Sequence, residues 1–270
     1  MTLCERASTV RSLPCHDLGM VDTSHVLAAE NAAQNLLALS QGFGAWSSRR
    51  DDYVIADSGA RGCRVCVTRP PADTAAVISE MISLAAQHVP GKPFYVEDTF
   101  GTLPLEQHGF VPMGRIPVMV RPAGMAFPGP PPPAAIEVIT AAKQQTTDEV
   151  ERLMVDALPL PYLQPWRSGV LFPPAVQEIP GWVMWLALRD GEPLGCCATQ
   201  DDGSSVGLYG MAVYPHARRQ GTGRALIAAI VQRYPSVPGC LTSTDDGFWL
   251  YAGTGYHTVG VATWWRQDQR

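Results

Sequence analysis

One stretch decides the fold of this chain: Met211-Ala-Val-Tyr-Pro-His-Ala-Arg-Arg-Gln-Gly-Thr-Gly-Arg224, followed by the apolar segment Ala225-Leu-Ile-Ala-Ala-Ile-Val231. The pattern predicts a buried strand, a short basic loop with glycines, and then a helix. The first N–H groups of a helix lack internal partners, and the helix dipole adds partial positive charge at the same end. Gly221 and Gly223 carry no Cβ, so the loop backbone can curl around a phosphate. The stretch therefore predicts an anion site that a diphosphate would fit.

Two motifs in this region resemble those of a known enzyme family. Arg218-Arg219-Gln220-Gly221-Thr222-Gly223 resembles motif A of the GNAT acetyltransferase superfamily, whose core is Arg/Gln-x-x-Gly-x-Gly/Ala. Phe248-Trp-Leu-Tyr-Ala-Gly-Thr-Gly-Tyr256 resembles motif B, in which a helix ending in Leu-Tyr precedes Gly-Phe/Tyr and a last strand. A glycine loop alone occurs at many unrelated phosphate sites. The order and spacing of both motifs favour the GNAT family.

The resemblance implies acyl transfer from acetyl-CoA to an amine, by direct attack and without a covalent enzyme intermediate. Tyr251 falls on the motif B tyrosine and would be the general acid that protonates the leaving thiolate. The strand at Met211 would diverge from its neighbour, pair with the pantetheine arm and place one amide against the thioester oxygen. The implied cofactor-binding residues are Met211, Ala212, Val213, Arg218, Arg219, Gln220, Gly221, Thr222, Gly223 and Arg224.

The general base is not evident from the sequence. Many family members carry a glutamate on one of the two strands beside the cofactor, but Gly207–Val213 and Gly239–Thr244 contain no carboxylate. Asp245 and Asp246 follow directly and would act through a water molecule. Alternatively, one of them caps the next helix, and solvent removes the proton.

The acceptor site is expected in the segment 160–172, because this region covers the acceptor in GNAT domains. Tyr162, Trp166 and Phe172 suggest an aromatic wall that can hold an amine. The alternative is that these aromatics pack the seam between two domains. We expect an N-acetyltransferase acting on a small-molecule amine. Acetylation of a protein or peptide, or non-catalytic acyl-CoA binding, are the alternatives.

The fold class predicted is α/β, with mixed sheets in two GNAT-like domains in tandem. A proline-rich linker at 123–135 separates a catalytic domain at 136–270, with element order β-α-α-β-β-β-α-β-α-β, from a first copy at 1–122. A constant offset of 146 residues relates Leu105, Gly109 and Gly114 to Tyr251, Gly255 and Gly260. The first copy has Pro71-Ala-Asp-Thr-Ala-Ala76 in place of motif A and leucine in place of Tyr251, so we expect it to be degenerate.

Composition limits the classes of function. The 270 residues are 46% hydrophobic and carry a net charge of −5, with no basic face for nucleic acid. Seven cysteines lack the spacing of a disulfide framework or metal site, which predicts reduced thiols and no metal. No signal peptide or long apolar run is evident. We therefore expect a cytoplasmic protein, a monomer or homodimer, without membrane or nucleic-acid partners.

Overall fold

The computed structural model describes residues 22–158, 160–172 and 177–268. These residues form five α-helices, which are α1 Thr23–Gly42, α2 Thr74–His88, α3 Gln144–Ala157, α4 Thr222–Arg233 and α5 Asp245–Ala252. They also form eleven strands, which are β1 Ser47–Arg49, β2 Tyr53–Asp57, β3 Cys63–Val67, β4 Phe94–Asp98, β5 Phe110–Arg121, β6 Glu137–Thr140, β7 Trp182–Arg189, β8 Glu192–Asp201, β9 Val206–Val213, β10 Gly239–Thr242 and β11 His257–Gln267.

All eleven strands belong to one sheet, in the order β1-β2-β3-β4-β11-β5-β10-β9-β8-β7-β6. Two neighbouring pairs are parallel, β3 with β4 and β9 with β10, and the others are antiparallel. The predicted α/β class with a mixed sheet is confirmed. The prediction did not foresee that a single sheet passes through both halves of the chain.

The two halves repeat the same order of elements and exchange their last strands. In the N-terminal half, β1 to β3 precede α2, β4, a short 3₁₀ turn at Leu105–His108 and β5. In the C-terminal half, β7 to β9 precede α4, β10, α5 and β11. However, β5 pairs with β10 and β11 pairs with β4. Each half therefore lends its final strand to the other half's part of the sheet.

Helices cover both faces of the sheet. The alternation of strand side chains is visible at two neighbouring cysteines, because Cys196 packs in the core under α3 and Cys197 packs in the core under α4 and α5. Helix α1 lies on the α3 face, where Ala33 and Leu36 pack on β2 and where Leu39 joins the α3 core. Helix α2 lies on the opposite face of β2 to β4.

Local sequence explains where several elements begin and turn. The Asp73 carboxylate caps α2 by accepting a hydrogen bond from the N–H of Ala76. Asp190 and Gly191 join β7 to β8 with φ of +52° and +81°, which matches a tight hairpin turn with two left-handed residues.

One prediction for the C-terminal half is wrong in detail. Helix α3 begins at Gln144, and Thr146 and Thr147 lie in its first turn. The second helix expected before β7 is not found among the described residues, where a 3₁₀ turn at Pro161–Leu163 follows α3 instead. Prolines at 161 and 165 explain this, since each lacks an N–H for helical hydrogen bonding.

Candidate functional site

The predicted cofactor strand separates from its neighbour. Strand β9 pairs with β10 at only two positions, Val206 with Gly239 and Gly207 with Cys240, whereas β9 continues to Val213. A bulge also shifts its register against β8 at Cys197. Gly210 at this bulge has φ of +60°, and a Cβ there would lie 2.9 Å from the sulfur of Met154. The result is a gap beside the carboxyl-terminal part of β9, where that strand edge has no strand partner.

The loop after β9 presents the amino end of α4 to the same edge of the sheet. Gly221 is the N-cap residue with φ of +87°, and no side chain caps the helix. The first helical hydrogen bond joins the N–H of Ala225 to the carbonyl of Gly221. The N–H groups of Thr222, Gly223 and Arg224 therefore lie in the first turn, where no intrahelical acceptor exists. Together with the helix dipole they form an anion site.

Polar side chains hold the shape of this loop. The Arg218 Nε donates a hydrogen bond to the carbonyl of Val213 at 3.1 Å. Gln220 accepts one from Arg189 at 2.7 Å and donates one to the carbonyl of His216 at 2.6 Å. Arg219, with φ of +60°, is exposed. Of these predicted cofactor residues, Arg219 thus offers a charged side chain to solvent beside the helix end.

Arg224 differs from the prediction in what its side chain does. Its guanidinium donates hydrogen bonds to the carbonyls of Pro130 at 2.8 Å, Gly253 at 3.3 Å and Pro128. It also lies 4.6 Å from the ring centroid of Phe127. The side chain therefore anchors the proline-rich linker, and only the backbone N–H of Arg224 faces the anion site.

The linker consequently forms a wall beside the glycine loop. A Cβ at Gly221 would lie 2.7 Å from Cγ and Cδ of Pro133, which is closer than side-chain carbons approach one another. A Cβ at Gly223 would lie 2.7 Å from a methyl carbon of Leu250 on α5. The two motif A glycines are required because other chain segments pack directly against them.

Tyr251 lies in the last turn of α5 and is only 7% exposed. Its ring packs edge-on against Tyr256, with centroids 5.9 Å apart. Burial raises the pKa of the Tyr251 hydroxyl, and the nearby Cys197 thiol adds to this. The Tyr251 ring lies in the core under α4 and α5, where Cys197 of the bulge between β8 and β9 also packs. Its hydroxyl is protonated at neutral pH.

The two candidate bases are exposed. Asp245 and Asp246 occupy the first turn of α5, after the N-cap residue Thr244, and neither caps the helix. Their charges favour the amino end of the helix dipole. Both residues follow the carboxyl end of β10, and neither forms a hydrogen bond with Tyr251.

The three predicted acceptor residues do not form one aromatic wall. Phe172 is 5% exposed and belongs to the core under α3, with its ring centroid 5.7 Å from that of Trp182. Its burial corrects the prediction that it lines the acceptor site. Trp166 is partly buried against the same core. Tyr162 is 58% exposed and lies near Arg61 and Arg64 of the N-terminal half.

A buried glutamate, which the sequence analysis overlooked, holds this segment in place. Glu151 of α3 is 1% exposed and accepts hydrogen bonds from four N–H groups. The donors are the indole of Trp166 and the backbones of Gly169, Leu171 and Phe172, at 2.6–3.1 Å. An acidic residue beside Val150 and ahead of Leu153 and Met154 on the buried face of α3 was the available signal.

Comparison with known proteins identifies the domain that carries this gap and loop. Residues 180–258 match the sequence model of the acetyltransferase (GNAT) domain. The chain carries a GNAT acetyltransferase domain. The matched residues run from the start of β7 to the start of β11, and they include the glycine loop and Tyr251. No curated protein matches the sequence significantly.

Solved structures of GNAT proteins share the fold over nearly the whole chain. A GCN5-related N-acetyltransferase from Kribbella flavida is 19% identical, with a TM-score of 0.63, covering 91% of this chain and 96% of that one. One from Sphaerobacter thermophilus is 17% identical, with a TM-score of 0.54 and coverages of 89% and 92%. A tandem GNAT protein from the clavulanic acid biosynthesis pathway is 13% identical, with a TM-score of 0.56 and coverages of 89% and 95%. The tandem GNAT-like fold is thereby confirmed.

The remaining predictions concern ligands and surroundings. Within the described ranges, no three His, Cys, Asp or Glu side chains gather as a metal site would require. The helices described there are also too short or too polar to cross a membrane. Five cysteines, at 63, 66, 196, 197 and 240, are buried and free. The predictions for Cys4 and Cys15 lie outside the described residues.

Proposed function

We propose that this protein transfers an acetyl group from acetyl-CoA to the amine of a small molecule, by direct attack of the amine on the thioester. The family accounts for acyl-CoA-dependent N-acetylation. The observation that carries the site assignment is the divergence of β9 from β10 beside an uncapped, glycine-bearing helix start. That arrangement provides a free strand edge for an amide-bearing arm and an anion site for a pyrophosphate.

The residues fit acetyl-CoA without any metal. The edge of β9 at Met211–Val213 would hold the pantetheine arm, and the N–H groups of the loop and first turn, from Arg219 to Arg224, would hold the pyrophosphate. Acetyl-CoA, when bound, supplies the activated acyl carbon that the amine attacks. A backbone N–H near Met211 would stabilise the charge that develops on the thioester oxygen, a donor role worth about 3–4 kcal/mol.

Tyr251 would supply the proton that the departing sulfur needs. A new C–N bond forms and the C–S bond breaks, and the phenolic proton passes to the thiolate. The raised pKa of Tyr251 keeps that proton in place until the bond breaks. The amine must lose its own proton first. Neither β9 nor β10 carries a carboxylate, so we propose removal by solvent, with Asp245 or Asp246 as the candidate bases through water.

We propose that the first copy, within residues 1–122, does not bind acetyl-CoA. Its equivalent parallel strands stay paired over four positions, from Cys63 with Phe94 to Cys66 with Glu97, so no gap opens. The amino end of α2 is also occupied by the Asp73 carboxylate, which would repel a phosphate. The linker at 123–135 and the catalytic domain at 136–270 complete this proposed organisation.

A small acceptor is favoured over a protein because the acceptor side is covered. Glu151 holds the segment after α3 with four hydrogen bonds, and Tyr162 in that segment lies near Arg61 and Arg64 of the N-terminal half. An open surface for a protein chain would not need this cover. CoA release with a panel of tetrapeptides would be compared with CoA release with small amines. Faster turnover of a peptide than of any small amine would reverse the assignment of a small-molecule acceptor.

Titration calorimetry with acetyl-CoA tests the proposal first. We expect one site per chain, followed by CoA release when small amines are added. Two sites would overturn the degenerate role of the first copy. No binding would overturn the site assignment itself.

A further inference from the structure

An arginine of the N-terminal half has two buried side-chain nitrogens without a hydrogen-bond partner. Arg61 ends the 3₁₀ turn Gly59–Arg61 between β2 and β3. Its Nε and Nη2 atoms are buried and make no hydrogen bond. Burial, and secondarily the neighbouring cation Arg64, lowers the pKa of Arg61 to about 9, so it remains charged at neutral pH. Besides Arg64, the group that acts on it electrostatically among the described residues is the Tyr162 hydroxyl.

A charge in this position is unfavourable unless an anion meets it. Removing a guanidinium from water is costly, and an unpaired buried charge destabilises the fold strongly. The nearby carboxylate of Glu97 lies 3.9 Å from Arg64, with which it forms an ion pair. Glu97 therefore compensates Arg64 and leaves the charge of Arg61 unmatched.

The turn that carries Arg61 lies at the same edge of the sheet as the candidate active site. The strand pairings from β3 to β9 make these two strands run in opposite directions. The amino end of β3 and the carboxyl end of β9 therefore lie at the same edge of the sheet, with β4, β11, β5 and β10 between them. The gap beside β9 and the glycine loop open at that edge as well.

The carboxyl end of α1 separates the two sites and contacts the surroundings of both. The ring of Phe43, which follows α1, packs against Gly59 in the Arg61 turn. Leu39 of α1 joins the core that includes Leu163. Tyr162, in the segment expected to cover the acceptor side, lies close enough to Arg61 for the two groups to interact electrostatically. This interaction links the Arg61 turn to the segment after α3, across the end of α1.

The free atoms of Arg61 define the chemistry of a ligand. Nε and Nη2 form one flat edge of the guanidinium, and their two parallel N–H groups match the two oxygens of a carboxylate. The Tyr162 hydroxyl can donate a further hydrogen bond to the same group.

We propose that Arg61 binds a carboxylate of the acceptor amine, at a subsite that the N-terminal half builds for the active site of the C-terminal half. The identity of this ligand as the acceptor rests on the proposed function. The capacity of Arg61 to bind a carboxylate is independent of that function. The substrate class that follows is an amino carboxylate, with the amine at one end and the acid at the other.

Binding is tested without acetyl-CoA. Succinate and its neutral diamide would be titrated into the full chain at constant ionic strength, with the ligand-induced shift in Tm as the readout. Succinate should raise the Tm of the wild type, and succinamide should not. Arg61→Met should abolish the shift. Arg49→Met serves as the control, since Arg49 is an exposed arginine of the same half paired with Glu30 at 2.8 Å. No shift in the wild type, or the same shift in Arg61→Met, would overturn the subsite.

Turnover tests whether the ligand is the acceptor. A series of ω-amino acids of increasing chain length and their amides would be compared by CoA release. For the best chain length, the acid should have a KM about 10-fold or more below that of its amide, which corresponds to one charge-assisted pair. Arg61→Met should remove that preference, with the KM for the acid rising to that of the amide. An equal preference in wild type and variant would refute the acceptor role.

One outcome separates the subsite from the proposed function. Succinate binding that depends on Arg61, without turnover of any amine, would retain the subsite and contradict the transferase. Should Arg61→Met fail to fold, Arg61→Lys keeps the charge without the paired N–H edge. That variant should lose most of the preference for acids over amides, and full retention would overturn the geometry.

Discussion

Replacing Gly221 by alanine tests the glycine loop most directly, and the chain offers a matched control. Gly221 and Gly203 have nearly the same backbone conformation, with φ of +87° and +86°. Alanine in this left-handed region costs about 1–2 kcal/mol at either position. The surroundings differ, because a Cβ at Gly203 meets nothing within 4 Å, whereas one at Gly221 lies 2.7 Å from Pro133. The difference between the two variants therefore isolates the contact with the linker.

The expected magnitudes follow from these contacts. Gly203→Ala should lower the free energy of unfolding by about 1–2 kcal/mol. Gly221→Ala should lose a further amount of about 1–3 kcal/mol, since the rigid ring of Pro133 must be displaced. Displacement also moves the first-turn N–H groups of α4. Loss of one hydrogen bond to a charged group, about 1.5–3 kcal/mol, weakens acetyl-CoA binding about 10- to 150-fold.

Urea unfolding followed by tryptophan fluorescence gives the stabilities, and titration calorimetry gives the affinities. Gly203→Ala should bind acetyl-CoA as the wild type does. A folded Gly221→Ala protein with unchanged affinity would refute the placement of the pyrophosphate at this loop. Equal destabilisation of both variants would refute the contact between Pro133 and the loop.

Four other results are expected. Tyr251→Phe should reduce kcat about 10²- to 10⁴-fold with unchanged affinity for acetyl-CoA, whereas Tyr256→Phe should keep the kcat of the wild type. Equal kcat values in the two variants would contradict the role of Tyr251 as the general acid. The value of kcat/KM should increase with pH as the amine deprotonates. Since burial raises the pKa of Tyr251, kcat/KM should show no fall below about pH 10. A fall near pH 8 that Tyr251→Phe abolishes would contradict this. Glu151→Gln should lower the free energy of unfolding, measured in urea, by about 2–5 kcal/mol, because one oxygen of the carboxylate is replaced by an NH₂ group that cannot accept N–H groups. One ordinary hydrogen bond is worth about 1 kcal/mol, so a smaller loss than that would refute the anchoring role. Burial lowers the pKa of His25, so the folded state binds fewer protons than the unfolded state, and unfolding becomes easier as pH falls below about 6.5. His25→Gln should therefore lessen the difference in unfolding free energy between pH 7 and pH 5. An unchanged difference would contradict this role of His25.

The predictions succeeded where backbone geometry demands particular residues. Gly221 requires a left-handed conformation, which few residues other than glycine, asparagine and aspartate adopt. The strand, loop and helix around motif A were therefore placed to within a few residues. The tandem repeat was visible for the same reason, because Gly109 and Gly255 recur at turns with φ of +81° and +94°.

The rest depends on contacts between distant parts of the chain. The pairing of β5 with β10 leaves no mark in local periodicity, since any alternating strand could take either neighbour. Phe172 was assigned to the acceptor side because aromatic content does not distinguish a cleft from a core. Arg224 was assigned to the anion because charge alone does not reveal that linker carbonyls bind it first.

The exchange of last strands has a consequence for synthesis on the ribosome. When β4 emerges, the strand that will cover its edge, β11, lies about 160 residues further along the chain. This separation corresponds to about 10–30 s at ordinary elongation rates. During that interval β4 presents an unpaired edge, which is a template for wrong pairing with another chain. The nascent protein must therefore wait for its last strand before the sheet is complete. A chain truncated before His257 would lack β11, so that β4 and β5 would both keep an unpaired edge.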